Sequence, residues 1–179
     1  MRIAAICTAL VSLAFMGLAS AQQAPCDRAC LTKFIDAYYA ALVANNPAGL
    51  PQASGARITE NAREKKLADT FWASADKVIW RFDAVNIRRG DTGTQVVIQN
   101  ADGSKTMHLL RLKVQRGAIT EMEIIKANQG DADRLWGPDN LTHVSPLLNV
   151  SIREQDRDSY YDLIGATESY WRAFQTNGT

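Results

Sequence analysis

Apolar residues follow two different spacings along this chain, helical near both ends and alternating in the middle. From residue 27 to 45 they recur every three or four positions, which predicts an amphipathic helix with an apolar stripe of Leu31, Phe34, Ile35, Tyr38 and Leu42. Asn46-Pro47 ends this helix, because proline disfavours helical geometry in the residue before it. The same spacing over residues 156–174 predicts a second amphipathic helix.

Five segments between these helices have the alternation and composition of β-strands. Val78, Trp80, Phe82 and Ala84 alternate with polar residues, so we expect them to form one apolar face. The predicted elements between the helices are a loop over 50–55, a helical turn over 67–73, and strands over 57–61, 77–84, 94–100, 105–114 and 118–126.

The last two strands are expected to form a hairpin around Arg116-Gly117. Charge predicts its register, which pairs Leu112 with Met122, Leu110 with Ile124, Lys113 with Glu121 and Arg111 with Glu123. One face is then apolar and the other salt-paired, as cross-strand pairing favours. His108 lies on the apolar face of this hairpin.

The N-terminus has the features of a signal peptide. Arg2 supplies a positive charge, residues 3–18 are mostly apolar, and Ala19-Ser20-Ala21 forms a small-residue cleavage site. The apolar run is too short for a comfortable membrane-spanning helix. We therefore predict a secreted or periplasmic protein whose mature chain begins near Gln22.

Charge and composition argue against two kinds of partner. The chain carries 20 Lys and Arg against 19 Asp and Glu, and no basic cluster is interleaved with aromatic residues. Neither nucleic acid nor an anionic membrane surface is therefore expected as a partner. The mature length suits one domain with a substantial core.

Two cysteines, Cys26 and Cys30, remain after the predicted signal peptide. In an oxidising compartment they can pair with each other, and the alternatives are free thiols or pairing between chains. A bridge between them closes such a small loop that it adds little stability. Metal binding is disfavoured, because no histidine or second cysteine pair stands nearby.

The stretch from Ile58 to Trp72 resembles a known family. It contains a short strand with a carboxylate and an amide, then a polar turn and a Leu…Trp segment. With a Tyr-Tyr helix before it and long strands after it, this order resembles the SnoaL-like branch of the nuclear transport factor 2-like superfamily. Asn61 and Asp69 match amide and acidic positions of that pattern, whereas Ala62 and Thr70 stand where the pattern usually has glycine.

The resemblance implies an α+β cone, in which a curved antiparallel sheet packs against N-terminal helices and encloses a pocket. Enzymes of this superfamily mostly work without a cofactor on cyclic or aromatic small molecules. The resemblance thus implies an exported lyase or isomerase that uses acid/base chemistry on a hydrophobic or aromatic compound. The alternative is a non-catalytic exported ligand-binding or dimerisation domain, and many members form homodimers through the open sheet face.

Three residues are candidate catalytic groups in such a cone. Glu60 shares a side with Ile58, and a carboxylate in an apolar cavity has a raised pKa that suits a general acid or base. His108 is the only histidine in a predicted strand and is a candidate proton shuttle. Tyr39 offers its hydroxyl to a substrate oxygen. The structural alternatives are a rim carboxylate, a packed histidine and a core tyrosine.

Six further residues are expected to line the pocket, although core packing explains the aromatic ones equally well. Tyr38 and Tyr39 are neighbours on one helix, so we expect only Tyr38 to continue the core stripe. No two-histidine metal motif or nucleotide-binding glycine loop is present, so neither metal nor cofactor is expected. The expected pocket residues are Tyr38, Trp72, Trp80, Phe82, Asn61 and Asp69.

We divide the chain into a signal peptide (1–21), a cone domain (22–150) and a C-terminal helical segment (151–179). The C-terminal helix weakly repeats the first helix, because a shift of 131 positions aligns Tyr39 with Tyr170. It is either the start of a second copy of the domain or a helix that packs on the first one.

Overall fold

The computed structural model describes residues 26–128, 138 and 141–176. The predicted signal peptide lies outside these residues. The elements in chain order are α1 (Arg28–Val43), β1 (Gln52–Glu60), β2 (Arg63–Glu64), β3 (Ala75–Asn86), β4 (Asp91–Asn100), β5 (Lys105–Gln115), β6 (Ala118–Asn128) and α2 (Tyr160–Thr176). Short 3₁₀ turns at Leu67–Asp69 and Phe71–Ser74 connect β2 to β3.

Helix α1 begins and ends where its sequence favours a boundary. Asp27 caps the N-terminus by accepting a hydrogen bond from the Cys30 backbone N–H at 2.8 Å. Cys26 and Cys30 form a disulfide across this first turn, with their Cα atoms 5.2 Å apart. Beyond the C-terminus Asn45 takes a left-handed conformation with φ of 48°, which asparagine tolerates better than most residues.

The six strands form one curved, unclosed sheet in the order β2-β1-β6-β5-β4-β3. All neighbours are antiparallel except β1 and β6, which run parallel, so the sheet is mixed and not wholly antiparallel as expected. Strands β3 to β6 form an antiparallel meander, in which each strand pairs with the next. The chain crosses over between β1 and this meander, and β1 therefore pairs in parallel with its last strand, β6. The α+β class predicted from the sequence is confirmed, with one α-helix before the sheet in the described residues.

The β5–β6 hairpin has the register that charge predicted. Leu112 pairs with Met122, Leu110 with Ile124, Lys113 with Glu121 and Arg111 with Glu123. Arg116 and Gly117 form the two-residue turn with φ of 50° and 72°, the left-handed conformation that such a tight hairpin requires. The Arg111 guanidinium donates to Glu121 at 2.8 Å on the outer face.

The register of β3 differs from the expected one. The pairing with β4 shifts by one residue between Val78 and Trp80, so Ile79 is the extra residue of a β-bulge. Val78 packs against the core, but Trp80 pairs with Val97 and Phe82 with Gln95 on the opposite, outer face. The expectation that Val78, Trp80 and Phe82 share one apolar face is therefore wrong, because a bulge reverses the faces of every residue after it.

The hydrophobic core fills the concave side of the sheet, against α1. Tyr38 and Tyr39 are both buried, so the expectation that only Tyr38 faces the core is wrong. The curved sheet and its connections flank α1 on two sides, with the Trp72 ring against Tyr38 and the Arg81 guanidinium over Tyr39. Other fully buried core residues are Leu31, Ile35, Leu42, Val96, Ile98, Leu112, Ile119 and Ile124.

Helix α2 contrasts with α1, because it has no buried residue. Its first turn contacts the β3–β4 turn, where the Arg88 guanidinium lies 5.2 Å from the centre of the Tyr160 ring. In the described part of the chain, no helix has the length and apolar character needed to cross a membrane.

Candidate functional site

Glu60 is buried at the end of β1, where it holds two segments together. Its Oε2 accepts a hydrogen bond from the Phe71 backbone N–H at 2.9 Å, and its Oε1 lies 2.5 Å from the Lys65 Nζ. The carboxylate therefore ties the 3₁₀ turn at Phe71 to the sheet. Glu60 points inward with Ile58 as the sequence predicted, but both of its oxygens are occupied by protein groups.

Tyr38 and Trp72 form a hydrogen-bonded aromatic pair beside this carboxylate. The Trp72 indole N–H donates to the Tyr38 hydroxyl at 3.1 Å, and the two rings meet edge to face with centres 5.4 Å apart. Burial raises the pKa of Tyr38, so its hydroxyl stays protonated. Both residues lie where the pocket was predicted, and both are packed into the core.

His108 is buried on the concave face of β5. Its ring packs on Phe71 with centres 3.7 Å apart, and its Nε2 shares a hydrogen bond with the Thr106 hydroxyl at 2.7 Å. Burial, and then the positive charge of Lys126 on β6, lower the pKa of His108 to about 3. The imidazole is therefore neutral at physiological pH, and its Nδ1 has no hydrogen-bond partner among the described residues.

Tyr39 lies at a second polar cluster, which the sequence did not reveal. Arg81 pairs with Asp83 at 3.0 Å and with Asp36 on α1, and its guanidinium covers the Tyr39 ring at 5.4 Å. The Thr94 hydroxyl donates to Asp83 at 2.9 Å. The sequence pattern did not show this cluster because of the bulge at Ile79. The bulge turns Arg81 and Asp83 from the expected outer face to the concave one.

The Tyr39 hydroxyl is buried and makes no hydrogen bond of good geometry in the described structure, although the Thr94 side chain is close enough to interact with it. Burial, and then the neighbouring Tyr38 and Asp83, raise the pKa of Tyr39. The hydroxyl therefore remains a hydrogen-bond donor at neutral pH. Tyr39 Oη and His108 Nδ1 are the two buried side-chain polar atoms without a partner in the described part of the chain.

Asn61 and Asp69 do not contribute to the concave interior. Asn61 is exposed at the β1–β2 turn, and its side-chain amide makes two hydrogen bonds to the Lys126 backbone. It accepts one from the Lys126 N–H at 2.8 Å and donates one to the Lys126 carbonyl at 3.3 Å. Asp69 is exposed on a 3₁₀ turn. Both side chains are thus exposed and do not line the interior as expected, and Asn61 instead joins the end of β1 to β6.

Trp80 and Phe82 do not line the interior either, since both lie on the outer face of the sheet. The Trp80 indole N–H donates to the Leu141 carbonyl at 2.6 Å, so Leu141 lies against this end of the face. Further along, Phe82 borders an apolar groove of about 330 Å³ with the half-exposed Leu109 and Ile125.

A polar cleft lies at the end of the sheet nearest His108. It also measures about 330 Å³ and is lined by Ser74, Asn100, Asp102, Ser104, Lys105, Thr106 and Lys126. Thr106 links this cleft to the histidine through its hydroxyl. The outer groove, this cleft and a groove of about 590 Å³ beside α2 are open to solvent, and Glu60, Tyr39 and His108 line none of the three.

The described residues offer hydrogen-bond donors but no evident metal site. No group of three or more His, Cys, Asp or Glu side chains within them is placed to hold a metal ion. What the concave side presents is a protonated tyrosine hydroxyl and a neutral imidazole, both buried and without a full set of partners. Such groups can bind an oxygen atom of a small molecule.

Comparison with known proteins adds a limited likeness of fold. No protein family and no curated protein matches the sequence significantly. A de novo designed protein with a curved β-sheet superposes with a TM-score of 0.48 at 15% identity, covering 56% of this chain and 88% of its own. A candidate ketosteroid isomerase from Kribbella flavida superposes with a TM-score of 0.44 at 12% sequence identity. The match covers 72% of this chain and 95% of the isomerase chain.

A third solved structure, a candidate isomerase from Rhodopseudomonas palustris, gives a TM-score of 0.42 at 14% identity, covering 55% of this chain and 89% of its own. All three TM-scores lie below 0.5. Neither an activity nor a substrate passes from these proteins to this chain.

Proposed function

We propose that this is an exported domain that binds a small cyclic or aromatic molecule on the concave side of its sheet, where the core side chains that fill this side without ligand must move apart to admit it. The observation that carries the proposal is the pair of buried, unpartnered atoms, Tyr39 Oη and His108 Nδ1. Folded proteins pair nearly all buried polar atoms, because leaving one unpaired costs about 1–3 kcal/mol. A ligand oxygen that meets either atom removes that atom's share of the cost.

The surroundings of the two atoms indicate the class of ligand. Tyr39 sits between the Tyr38 ring, 5.1 Å away, and the Arg81 guanidinium, while His108 is stacked on Phe71. Flat aromatic and cationic surfaces favour a flat, largely apolar ligand. The Tyr39 hydroxyl then selects an oxygen substituent, such as a carbonyl or phenol, and His108 Nδ1 adds a donor or an acceptor according to its tautomer.

Substitution of Tyr39 by Phe tests this binding, because the hydroxyl has opposite effects on the free and bound protein. Without ligand, Tyr39→Phe removes an unpaired polar atom, so the midpoint of thermal unfolding stays equal or rises. With ligand, the variant loses one hydrogen bond, which weakens binding roughly 2- to 10-fold. Tyr161→Phe is the matched control, since Tyr161 is exposed on α2.

The ligand is sought by a thermal-shift screen of cyclic and aromatic carbonyl compounds and phenols, and affinities are then measured by titration calorimetry. The proposal expects at least one compound that stabilises the wild-type chain and binds Tyr39→Phe more weakly than Tyr161→Phe. A screen without hits, or equal affinities for both variants, overturns it.

Catalysis is the finer form of the same proposal, as a cofactor-independent lyase or isomerase of the SnoaL-like type. In this form Tyr39 donates a hydrogen bond to the developing oxyanion, His108 assists from β5, and Glu60 accepts the proton after it separates from Lys65. The neutrality of His108 supports a role as a hydrogen-bonding group beside the oxyanion. If His108→Ala and Glu60→Gln both leave turnover of a bound compound unchanged, these roles are excluded.

Dimerisation is a second candidate function, which the apolar groove on the outer face favours. Leu109 and Ile125 stand side by side there with about half of each side chain exposed, next to Phe82. An exposed apolar patch of this kind often marks a protein interface. Sedimentation velocity should then show a dimer that Leu109→Lys dissociates. Ile87→Lys, at a similarly exposed position outside the groove, is the control.

Export rests on the sequence of the first 21 residues. We expect mass spectrometry of the protein recovered from its native host to find a mature N-terminus at Gln22. A chain that retains Met1 or Arg2 inside the cell contradicts this localisation.

A further inference from the structure

Helix α2 presents a broad apolar face that the described structure leaves more than half exposed. Leu163, Tyr170, Trp171 and Phe174 are each 56–62% exposed. Among the described residues, the first domain meets the first two turns of the helix, where Arg88 lies over Tyr160 and an open groove runs past Leu163 to Thr167. A helix with such a face is normally stabilised by packing against another element.

The buried face of α1 identifies what kind of element that is. When α2 is aligned with α1 at the shift of 131 positions suggested by the sequence, the buried Tyr38 corresponds to the polar Ser169. At a shift of 132 positions, buried apolar residues of α1 correspond to apolar residues of α2. The buried residues Leu31, Tyr38, Tyr39 and Leu42 then correspond to Leu163, Tyr170, Trp171 and Phe174. Of the five buried α1 positions, only that of Ile35 corresponds to a polar residue, Thr167.

Residues outside the apolar face follow the same alignment. Asp36, on the exposed flank of α1, corresponds to Glu168. The left-handed Asn45 that follows α1 corresponds to Asn177 in the sequence. The similarity therefore extends from the apolar face to the flank and the end of the helix.

The adjacent aromatic residues distinguish a sheet from other partners. Tyr38 and Tyr39 point about 100° apart on the helix, and both are buried because α1 lies in the hollow of a curved sheet. A helix–helix seam covers a narrower stripe, and one of two adjacent aromatic side chains would stay exposed. Tyr170 and Trp171 repeat this adjacent pair.

We propose that α2 is the opening helix of a second domain of this fold, and that the concave face of a second curved sheet covers Leu163, Tyr170, Trp171 and Phe174. Such a sheet takes the position relative to α2 that β1–β6 take relative to α1. The inference is independent of any ligand of the first domain.

The first test uses the chain as it is. Tyr170→Asp/Phe174→Asp should leave the thermal unfolding midpoint of the first domain within about 1 °C of wild type, because neither side chain packs on that domain. Sedimentation velocity on both proteins accompanies it. A midpoint lowered by several degrees shows that α2 packs on the first domain. A dimer that the double variant dissociates shows a second copy as the partner. Either result overturns the proposal.

The second test supplies a sheet. The chain up to Thr176 is extended with a second copy of residues 45–128 and a C-terminal tag, so that α2 precedes this copy as α1 precedes the first. One control replaces residues 160–175 by residues 28–43, and the other carries Tyr170→Asp/Phe174→Asp. Limited proteolysis followed through the tag measures whether the added copy folds.

We expect the α2 fusion to be cleaved at least 10-fold more slowly in the added copy than the double-Asp fusion. Cleavage as fast as in the double-Asp fusion, while the fusion with residues 28–43 is protected, overturns the proposal. If the fusion with residues 28–43 is also unprotected, the first test decides the outcome.

Discussion

Protonation of His108 should make the stability of this domain depend on pH between about 6.5 and 3. Burial, and then the nearby Lys126, lower the pKa of His108 from 6.5 to about 3 in the folded protein. In the unfolded chain the imidazole is solvated and titrates near 6.5. Below pH 6.5 the unfolded state therefore binds a proton that the folded state excludes, so stability falls as the pH falls.

The size of the effect follows from this difference. Each pH unit in the window costs about 1.4 kcal/mol of unfolding free energy for one proton. Between pH 6.5 and 4.5 the loss from His108 is thus roughly 2–3 kcal/mol, which is a large part of the stability of a typical domain. Below pH 3 the folded state also takes up the proton and the loss levels off.

Comparison with His108→Gln isolates this contribution, because carboxylates affect both proteins alike. Glutamine keeps a hydrogen-bonding group near Thr106 but does not titrate, and it loses the stacking of the imidazole on Phe71. Urea unfolding is followed by tryptophan fluorescence and far-UV circular dichroism at pH 7, 6, 5 and 4.5. We expect the variant to be less stable at pH 7 and the difference to shrink by about 1.4 kcal/mol per pH unit below 6.

Parallel pH profiles for the wild type and His108→Gln would refute the argument. They would mean that His108 titrates with the same pKa in the folded and unfolded states. The imidazole would then be accessible to water, against its burial beneath Phe71.

Three substitutions test the backbone and charge arguments, each by its urea unfolding midpoint at pH 7. Ala62→Gly should stabilise the domain by about 1 kcal/mol, since Ala62 has a φ of 62° at a turn where glycine carries no Cβ strain. Gly90→Ala should destabilise it by about 2 kcal/mol or more, because φ is 67° and a Cβ would lie 2.5 Å from the Val114 carbonyl oxygen; an unchanged midpoint contradicts this packing. Glu60→Gln should cost roughly 1–3 kcal/mol, because it weakens the bonds to Lys65 and the Phe71 N–H, and a stabilised variant would show that this pairing is unfavourable.

The parts of the fold that the sequence predicted are those in which local pattern and charge agree. The register of β5 and β6 follows from apolar residues on one face and opposite charges on the other, and every predicted pair is present. The same register, continued two residues along each strand from the Leu110–Ile124 pair, places His108 opposite Lys126. The principal neighbouring charge that lowers the pKa of His108 was therefore already implied by the sequence.

The parts that the sequence did not predict depend on non-local geometry. The bulge at Ile79 reverses the inward and outward faces of β3, and no alternation pattern shows where an extra residue is absorbed. The burial of Tyr39 depends on the curvature of the sheet, which brings Arg81 over a ring that a flat sheet would leave exposed. The bulge put every residue of β3 after Ile79 on the face opposite to the expected one, the curvature buried Tyr39, and together these two features hid the cluster around Arg81.

The charges on the concave side explain why binding is better supported than catalysis. Glu60 is held by Lys65, and Asp83 is held by Arg81. Each carboxylate is thus engaged by a cation, so it can accept a proton from a substrate only after this ion pair separates. The atoms without partners, in contrast, belong to neutral groups, the Tyr39 hydroxyl and the His108 imidazole. The interior is therefore better suited to hold an oxygen atom than to remove a proton, and catalysis on this scaffold requires Glu60 to leave Lys65 when substrate binds.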